Sequence, residues 1–493
     1  MAVDEILINA QPGETRIALM DAGRLVELVV SRPGQESVAG NIYLGRVERV
    51  MSGLQAAFVE IGLPRAAFLA LSEVRPLGAA GNIGGDSIGD YLAEGDAVVV
   101  QVQRDAFEDK GAKLTTRVAL IGRTVIHTPG LGEVKISRRI DNPESRARLT
   151  EFLQNETADD GGFIARATAA NAGTDDLLTE IAGLRRVWSG IAEKSASGRP
   201  PALLWRELDP VLRILRDQGG GALRRIVVDD AEERARIKAY CRNASPGLAD
   251  MVGADNGSDP VFAAAEIEEQ IANALAATVP LPSGGDIIIS ETPALTAIDV
   301  NTGGRDGASQ EETAYQTNLQ AAREAARQIR LRNLSGLLVI DFVPMKRRRH
   351  GTEVLDALRD EAATDPGKPH VIGFTRLGLV EMTRRKKCHS LANIIMDPCP
   401  ACAGTGRMKS PLSVAYQALR AAERESAGWP GGALGIWAAA PVIEALNGEA
   451  AKARALTEER LGRSLVAIVD EDMAADAFAF GPGDSVDAMR AGQ

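Results

Sequence analysis

The feature that most constrains this fold is a strand–helix–strand pattern in the middle of the chain. Short apolar runs at 287–289, 295–300 and 337–342 predict buried strands, and residues 311–332 between the last two form a long, alanine-rich helical pattern. This order is typical of a layered α/β domain. We therefore predict an α/β multidomain fold, since the 493 residues are enough for about three domains.

Two of these apolar runs carry an aspartate near their carboxyl end, Asp299 in one and Asp341 in the other. If the two strands are neighbours, both carboxylates emerge at the same edge of the sheet, and Asn301 points to the same side as Asp299. Converging carboxylates repel each other unless a cation neutralises them, and oxygen ligands with retained waters are what Mg²⁺ prefers. Mg²⁺ held there could polarise a phosphate and generate a hydroxide nucleophile. The alternative is that each aspartate only caps the loop after its strand.

The charge of the chain is unevenly distributed. The net charge of −11 would by itself discourage a nucleic-acid partner. Residues 323–409, however, hold 17 Lys and Arg against 9 Asp and Glu, which leaves that block at +8 and the remainder at −19. Basic clusters at 346–350 and 384–387 flank the aspartates in sequence, a pattern that suits a polyanionic substrate. The alternative is that each cluster is solvated surface.

Composition limits the compartment and the class of protein. The apolar share of 45% and charged share of 25% exclude global disorder. Four cysteines are too few for a disulfide framework, which indicates a reducing compartment. The first residues are acidic where a signal peptide needs basic ones, and no apolar stretch approaches the roughly 20 residues of a membrane span. We expect a soluble, cytoplasmic protein without a transmembrane segment.

Strand signals at 41–50, 56–61, 66–71 and 97–102 predict a small β-barrel within residues 40–120. Phe58 and Phe68 lie in two of these strands, and Lys110 lies in the turn that follows the last. Exposed aromatic rings on such a barrel stack bases while a nearby lysine holds phosphates. The alternative is that both rings fill the barrel core. Outside the barrel we predict strands at 6–8, 16–19, 25–30, 163–166 and 225–228, a helix capped by Thr174 and another at 264–277.

Cys399 and Cys402 form half of a zinc site. A closed structural zinc site needs four ligands, so Cys388 and His389 could complete it within the chain, or a second subunit could contribute its own pair. A redox pair is a third possibility, although no thioredoxin-like unit precedes it. Cys241 is interpreted as a buried apolar residue.

Several strings resemble the bacterial ribonuclease E/ribonuclease G family. They are Asp299-Val-Asn-Thr-Gly, Ile340-Asp-Phe and Cys399-Pro-Ala-Cys-Ala-Gly-Thr-Gly, with further matches at 41–46, 281–285, 311–318 and 378–384. The resemblance implies an RNase H-like subdomain at 1–36 and 216–279 with an inserted S1 (oligonucleotide-binding) β-barrel at 37–120. It also implies a 5′-sensor region at 121–215, a DNase I-like catalytic subdomain at 280–397, a zinc-link at 398–408 and a small α/β carboxy-terminal domain at 409–493.

The same resemblance implies a Mg²⁺-dependent, single-strand-specific endoribonuclease that leaves 5′-phosphate and 3′-hydroxyl ends, in rRNA processing and mRNA decay. By resemblance, Asp299 and Asp341 bind Mg²⁺ with support from Asn301, and Phe58, Phe68 and Lys110 contact RNA. Gly122, Ile126 and Arg166 would line a pocket that reads a 5′-monophosphate, with Lys368 in place of the distal sensor arginine. Cys399 and Cys402 would share Zn²⁺ between two subunits, which makes a homo-oligomer, either a dimer or a dimer of dimers.

The chain departs from the family pattern at the sensor. Ala167 stands where the family has threonine, although Thr168 follows, and Lys368 keeps a positive charge without the bidentate fork of arginine. The chain ends at Gln493 without a long scaffold tail, which favours the ribonuclease G type. The competing function is a non-catalytic S1-type RNA-binding regulator, disfavoured because Asp299, Asn301 and Asp341 are all present. A DNA nuclease is a weaker alternative.

Overall fold

A computed structural model describes residues 3–34, 37–74, 87–106, 110–156, 161–218, 222–254, 260–303, 309–386, 389–402, 404–429 and 432–483. The chain divides into two compact units, Met1–Ile395 and Met396–Gln493. This division falls two residues before the predicted end of the catalytic subdomain at 397. No helix in the described ranges combines the length and the apolar character that crossing a membrane requires.

The elements are numbered along the chain. The strands are β1 (Glu5–Gln11), β2 (Glu14–Asp21), β3 (Arg24–Ser31), β4 (Ile42–Met51), β5 (Ala56–Glu60), β6 (Ala67–Ala70), β7 (Ala97–Arg104), β8 (Lys113–Thr115), β9 (Leu120–Ile121), β10 (Val125–Thr128), β11 (Val134–Ile136), β12 (Gly162–Ala165), β13 (Ala202–Trp205), β14 (Arg225–Val228), β15 (Val252–Ala254), β16 (Thr278–Pro280), β17 (Asp286–Glu291), β18 (Thr296–Asn301), β19 (Gly336–Asp341), β20 (His370–Phe374), β21 (Leu379–Arg384), β22 (Leu434–Ala438), β23 (Leu465–Val469) and β24 (Phe478–Pro482). The helices are α1 (Pro143–Glu156), α2 (Thr174–Ser197), α3 (Pro210–Gln218), α4 (Ala231–Ala244), α5 (Pro246–Ala249), α6 (Val261–Ala264), α7 (Ile267–Leu275), α8 (Gln310–Leu331), α9 (Arg348–Ala362), α10 (Leu391–Ile395), α11 (Pro411–Glu425), α12 (Ala440–Asn447) and α13 (Ala451–Leu461).

The amino-terminal strands begin a five-stranded sheet in the order β15-β14-β1-β2-β3. β1, β2 and β3 pair antiparallel, whereas β14 and β15 join the other side of β1 in parallel. The strands predicted in this sheet are confirmed. Ile6, Ile8 and Ile226 pack here with residues of α3 and α4, among them Cys241, which is fully buried as predicted.

The predicted barrel is confirmed as the closed circuit β4-β5-β6-β8-β7, since β4 pairs with both β5 and β7. Its core contains Val47, Val59, Leu69, Val100 and Leu114. The sequence did not predict β8, because three residues are too few to show an alternating pattern. β13 extends the same sheet beyond β4.

A four-stranded sheet in the order β11-β12-β10-β9 follows the barrel, and α1 and α2 pack on its core. The helix predicted behind Thr174 is confirmed, but the prediction that Thr174 caps it is wrong. Gly173 occupies the N-cap position and no side chain there bonds to the first turn. Asp175 and Asp176 lie in that turn, where their negative charges stabilise the helix by interacting with the positive end of its dipole.

The predicted strand–helix–strand unit is confirmed as β18, α8 and β19. These strands belong to a six-stranded sheet in the order β16-β17-β18-β19-β21-β20, in which β18 and β19 run parallel. The Ser309 side chain caps α8 by accepting a hydrogen bond from the Glu312 N–H. α8 and α9 cover one face of the sheet, in a core that includes Ile298, Ala322, Ile340, Val354 and Val380.

The helix predicted over 264–277 is confirmed as α7, which begins three residues later and ends two residues earlier than predicted. It begins only at Ile267 because Glu266, between α6 and α7, has a left-handed backbone with φ of 51°. A right-handed helix does not continue through such a residue. The periodic pattern came from α7, which buries Ile267 and Ile271.

The carboxy-terminal unit is a three-stranded sheet with helices. β22 pairs in parallel with β23 and antiparallel with β24. α11 and α12 supply Val414, Leu419, Val442 and Leu446 to a core shared with Ile436 of β22. A small α/β unit therefore follows the cysteine pair.

The basic cluster predicted at 384–387 begins with a residue that is buried. Arg384 forms an ion pair with the buried Asp365, with 2.7 Å between Nε and Oδ2. Its Nη1 also donates to the Asn333 side chain over 2.7 Å and to the Leu334 carbonyl over 3.0 Å. Arg384 therefore ties β21 to the turn after α9 and does not belong to the solvated surface.

Replacing Asp365 with alanine would leave the Arg384 guanidinium buried without its counter-charge. We expect Asp365→Ala to lower the free energy of unfolding of this unit by about 3–5 kcal/mol, as measured by urea denaturation. The matched control is Asp356→Ala, which removes the exposed partner of Arg359 and should cost less than about 1 kcal/mol. Equal losses in the two variants would contradict a structural role for the buried pair.

Candidate active site

The two predicted aspartates lie side by side on neighbouring parallel strands. Asp299 of β18 pairs in register with Asp341 of β19, and both side chains are exposed. Neighbouring strands are about 4.8 Å apart, so the two carboxylates leave the sheet close together at one edge. The juxtaposition expected from the sequence is therefore present in the fold.

Asn301 connects this pair to a third carboxylate that the sequence analysis missed. Its Nδ2 donates to Asp299 Oδ2 over 3.3 Å and to Asp286 Oδ1 over 3.2 Å. Asp286 is the first residue of β17 and pairs with Asn301 across the antiparallel strands. A polar residue directly before the apolar run at 287–289 was the available signal, but only the strand register shows which residue it faces.

The donor set fits Mg²⁺. Neither Asp299 nor Asp341 forms an ion pair with a basic residue of the described ranges. Within those ranges, no three His, Cys, Asp or Glu side chains gather into a complete metal site. Mg²⁺ does not need a complete set of protein ligands, because it usually binds one or two carboxylates and keeps several waters. Two carboxylates without a counter-charge, an amide and access to water satisfy that preference.

The face of the sheet that carries the aspartates is open, whereas α8 and α9 cover the other face. Ala297, Leu337 and Glu381 are exposed on the open face together with the aspartates. Glu381 pairs with Val339, two residues before Asp341 on β19. A polymeric substrate can therefore reach the carboxylates without any opening of the core.

The aromatic rings predicted on the barrel are outside its core. Phe58 of β5 and Phe68 of β6 pair across the strands, and their ring centroids are 5.9 Å apart in an edge-to-face arrangement. Both side chains are half-buried, whereas their strand neighbours Val59 and Leu69 are completely buried in the core. The alternative that the two rings fill the barrel core is therefore wrong.

Lys110 is exposed and lies beside the strand that carries Phe68. A side chain at the next residue, Gly111, would come within 2.2 Å of the Ala66 carbonyl, so the backbone there packs directly against the chain entering β6. The Phe68 N–H then donates to the Ala112 carbonyl over 2.7 Å. The fold thus brings Lys110, Phe58 and Phe68 to one region of the barrel.

Three of the predicted sensor residues lie together. Arg166, directly after β12, donates from Nη1 to the Gly122 carbonyl over 2.5 Å. Ile126 of β10 is half-buried and pairs with Ile121 of β9. The Nη2 group of Arg166 donates to Asp217 Oδ1 over 2.8 Å, a partner that the sequence analysis missed.

Asp217 is held as a carboxylate. Burial would raise its pKa, but the neighbouring guanidinium groups of Arg216 and Arg166 lower the pKa below its usual value. Arg216 is itself buried in an ion pair with Glu207, with 2.9 Å between Nη1 and Oε1. Asp217, at the exposed edge of this buried ion pair, therefore orients the Arg166 side chain.

Glu180 of α2 fixes the loop that begins at Gly122. Its carboxylate accepts hydrogen bonds from the N–H groups of Arg123 and Thr124. A Cβ atom on Gly122 would come within 2.7 Å of the Val125 backbone carbonyl and within 2.4 Å of Glu180 Oε1, so only glycine fits this close approach. Neither Glu180 nor Asp217 could be found from the sequence, because each lies more than 40 residues from its partner.

The two departures from the family pattern lie in different places. Thr168, after Ala167, donates its hydroxyl to the Arg123 carbonyl over 2.5 Å. Lys368 is exposed in the turn between α9 and β20, with a left-handed φ of 51°. Among the described residues, no hydrogen bond or ion pair joins Lys368 to Gly122, Ile126 or Arg166.

The cysteine pair forms a local turn. Cys399 is exposed and Cys402 is half-buried, and the Cys402 carbonyl accepts a hydrogen bond from the Thr405 N–H over 2.9 Å. Hydrogen bonds from the N–H groups of Gly406 and Gly404 lower the pKa of the Cys402 thiol. A lower pKa favours the thiolate, which is the form that binds metal. Cys388 lies outside the described residues, and the His389 carbonyl accepts a hydrogen bond from Asn333 Nδ2 over 2.8 Å.

Comparison with known proteins identifies the family. Residues 119–387 match the model of the "Ribonuclease E/G family", a segment that contains the aspartate pair and the sensor residues. The chain is 35% identical to ribonuclease G of Escherichia coli (strain K12) over 470 residues, which covers 94% of this chain and 96% of that protein. It is 37% identical to ribonuclease G of Haemophilus influenzae over 423 residues, 84% of this chain and 86% of that protein. It is also 38% identical to ribonuclease E of Haemophilus influenzae over 428 residues, 85% of this chain but 46% of that longer protein. With a family match across more than half of its length and relatives that align along nearly all of it, the chain belongs to the ribonuclease E/G family.

Proposed function

We propose that this chain is a Mg²⁺-dependent endoribonuclease that cleaves single-stranded RNA and leaves 5′-phosphate and 3′-hydroxyl ends. The observation that carries this proposal is the in-register pair of Asp299 and Asp341 on the open face of the sheet. Family membership supports the reaction class, and rRNA processing and mRNA decay are the roles we propose for it.

In this proposal Asp299 and Asp341 hold Mg²⁺, and Asn301 fixes the orientation of the Asp299 carboxylate through its Nδ2 group. When bound, Mg²⁺ supplies positive charge that activates water and stabilises the charge developing on the phosphoryl oxygens. Phe58 and Phe68 stack bases of the RNA, and Lys110 contacts a phosphate close to the scissile bond. Stacking tolerates any base, so these barrel contacts hold single strands without selecting a sequence.

The first test removes one negative charge at the metal position. We expect Asp299→Asn or Asp341→Asn to lower RNA cleavage at least about a hundredfold, since the transition state loses its charge stabilisation. RNA affinity should change little, because the metal acts mainly on the transition state. Cleavage is measured by gel with a labelled single-stranded RNA in Mg²⁺, and affinity by fluorescence anisotropy.

Asp356→Asn, on the exposed surface of α9, is the matched control and should cleave like the wild type. Full cleavage by both active-site variants would show that Asp299 and Asp341 are not the active site. A non-catalytic RNA-binding regulator would then be the better interpretation of the fold. Single-stranded DNA of the same sequence, offered in parallel, separates a ribonuclease from a DNA nuclease.

We also propose that Gly122, Ile126 and Arg166 form a 5′-phosphate sensor, with Lys368 in place of a distal arginine. The support is that the Arg166 guanidinium donates to the Gly122 carbonyl and that Asp217 orients this guanidinium through a second hydrogen bond. A guanidinium beside an open backbone loop binds phosphate through charge-assisted hydrogen bonds.

Arg166→Ala should reduce the preference for 5′-monophosphorylated over 5′-triphosphorylated RNA by about tenfold or more, because it removes a hydrogen bond from a charged group. The measurement is cleavage of the two RNAs, which differ only at the 5′ end. Arg186→Ala, on the exposed side of α2, removes the same charge and should leave the preference intact. If the wild type has no preference, Ala167 and Lys368 have disabled the pocket.

We propose that Cys399 and Cys402 share Zn²⁺ with the same pair of a second subunit. Two thiolates from each of two chains complete the four ligands, so metal content should be about half an ion per chain. Changing both cysteines to serine should release zinc and dissociate the oligomer, whereas Cys388→Ser should do neither. Metal analysis and light scattering decide the matter. One zinc per chain in a monomer, lost on Cys388→Ser, would show that the site lies within one chain.

A further inference from the structure

Three exposed basic side chains lie in the segment that follows Asp341, and within the described part of the chain their charged groups contact no partner. Lys346, Arg347 and Arg348 lie in the segment that leads from β19 into α9, and all three are exposed. No hydrogen bond or ion pair to a described residue engages their side chains. Arg349 differs, because it forms an ion pair with Glu353 over 2.7 Å. The first three groups are therefore available to an external anion.

The backbone that carries these side chains is firmly anchored. Glu311, at the start of α8, accepts hydrogen bonds from the N–H groups of Lys346 over 2.8 Å and Arg347 over 3.0 Å. Its Oε1 also lies 2.9 Å from His350 Nδ1, and the buried His350 ring stacks on Tyr315 at 4.1 Å. A fixed backbone with unpaired cationic side chains loses little conformational freedom when it binds a polyanion.

The basic segment 346–348 lies within a short distance of the aspartate pair. Lys346 follows Asp341 by five residues, so their Cα atoms are at most about 18 Å apart even in a fully extended chain. Glu311 belongs to the helix that follows β18, so the anchor and the cations lie on the two connections that leave the sheet beyond Asp299 and Asp341. A single strand whose phosphate lies at the aspartates can therefore reach the basic segment within a few nucleotides.

We propose that Lys346, Arg347 and Arg348 form a phosphate-binding surface that holds the backbone of the RNA substrate next to the catalytic aspartates. This inference rests on the proposed function, since it names how that site retains its substrate. The net charge of the chain is −11, so a polyanion needs a concentrated positive surface to bind at all. Contacts to phosphates fix the position of the strand but do not select its bases.

The test compares two triple variants with the same change in charge. The basic variant combines Lys346→Ala, Arg347→Ala and Arg348→Ala. The control variant removes three exposed cations of the carboxy-terminal unit through Arg420→Ala, Arg424→Ala and Lys452→Ala. Binding of a fluorescein-labelled single-stranded RNA is measured against salt concentration, with both sets of changes made in Asp299→Asn protein. The integrity of the RNA is checked on a gel.

Each phosphate contact on a single strand contributes about 0.7 to the slope of log affinity against log salt. Loss of three contacts should therefore reduce the slope by about 2 and weaken binding roughly 10- to 100-fold at low salt. The control variant should keep the wild-type slope. Single-stranded DNA should show the same difference between the variants, because the contacts are to phosphates and not to the 2′-hydroxyl.

In the protein with Asp299 intact, the basic variant should raise KM with kcat nearly unchanged, since these contacts are equal in ground and transition states. An unchanged slope in the basic variant, or equal losses in both variants, would overturn the proposed surface. The outcome for the proposed function is separate: if Asp299→Asn protein cleaves RNA, the active-site assignment fails while the binding result stands. Absence of RNA binding by the wild-type chain would overturn both.

Discussion

The parallel, in-register pairing of β18 and β19 is the constraint on which the candidate site depends. Parallel neighbours cannot be joined by a tight turn, so the chain must cross over one face of the sheet, and α8 is that crossover. Four small residues of α8, Ala321, Ala322, Ala325 and Ala326, pack in the core between the helix and the sheet together with Ile329. The pairing of two aspartates and the alanine-rich helix are thus parts of one packing arrangement.

The same helix connects the six-stranded sheet to the amino-terminal sheet. Leu331, at its last turn, belongs to the core formed with β1, β2 and β3. The Arg330 guanidinium forms an ion pair with Glu27 of β3 over 3.0 Å, and Arg24 forms one with the buried Glu324. Because these ion pairs and the apolar contacts lie on one rigid element, displacement of the first sheet would move α8 and the strands that carry the aspartates.

How far the sequence predicts this structure depends on the range of the interactions. The strands β17, β18 and β19 and the helix α8 were predictable, because hydrophobic periodicity is a local property. The break at Glu266 was not, since a left-handed backbone leaves no mark on the apolar pattern of its neighbours. The inward direction of Arg384 was also hidden, because its basic neighbours suggest surface and its partner Asp365 lies 19 residues away.

In the candidate site, too, the sequence predicted local features and missed those that depend on residues distant in the chain. Asp299, Asn301 and Asp341 were identified by their position at the ends of apolar runs, whereas Asp286 became recognisable only through the register of β17. The positions of Phe58 and Phe68 outside the barrel core required the observed pairing of β5 and β6, since alternation in short alanine-rich strands does not distinguish the two faces.

The acids around the proposed sensor explain how a guanidinium can be both fixed and available. A guanidinium carries five N–H donors, and Arg166 uses one for the Gly122 carbonyl and one for Asp217. The other three donors bond to no residue that the structure describes, so in the proposed sensor they would serve a phosphate. Arg216 and Arg166 lower the pKa of Asp217, and the ionised Asp217 carboxylate holds the guanidinium plane of Arg166 in one orientation. Lys368 has no such partner among the described residues, so in the proposed sensor it would add charge to a bound phosphate without defining the orientation of that phosphate. If the sensor proposal is correct, we therefore expect selectivity for the 5′ end to come mainly from Arg166 and the loop that Glu180 holds.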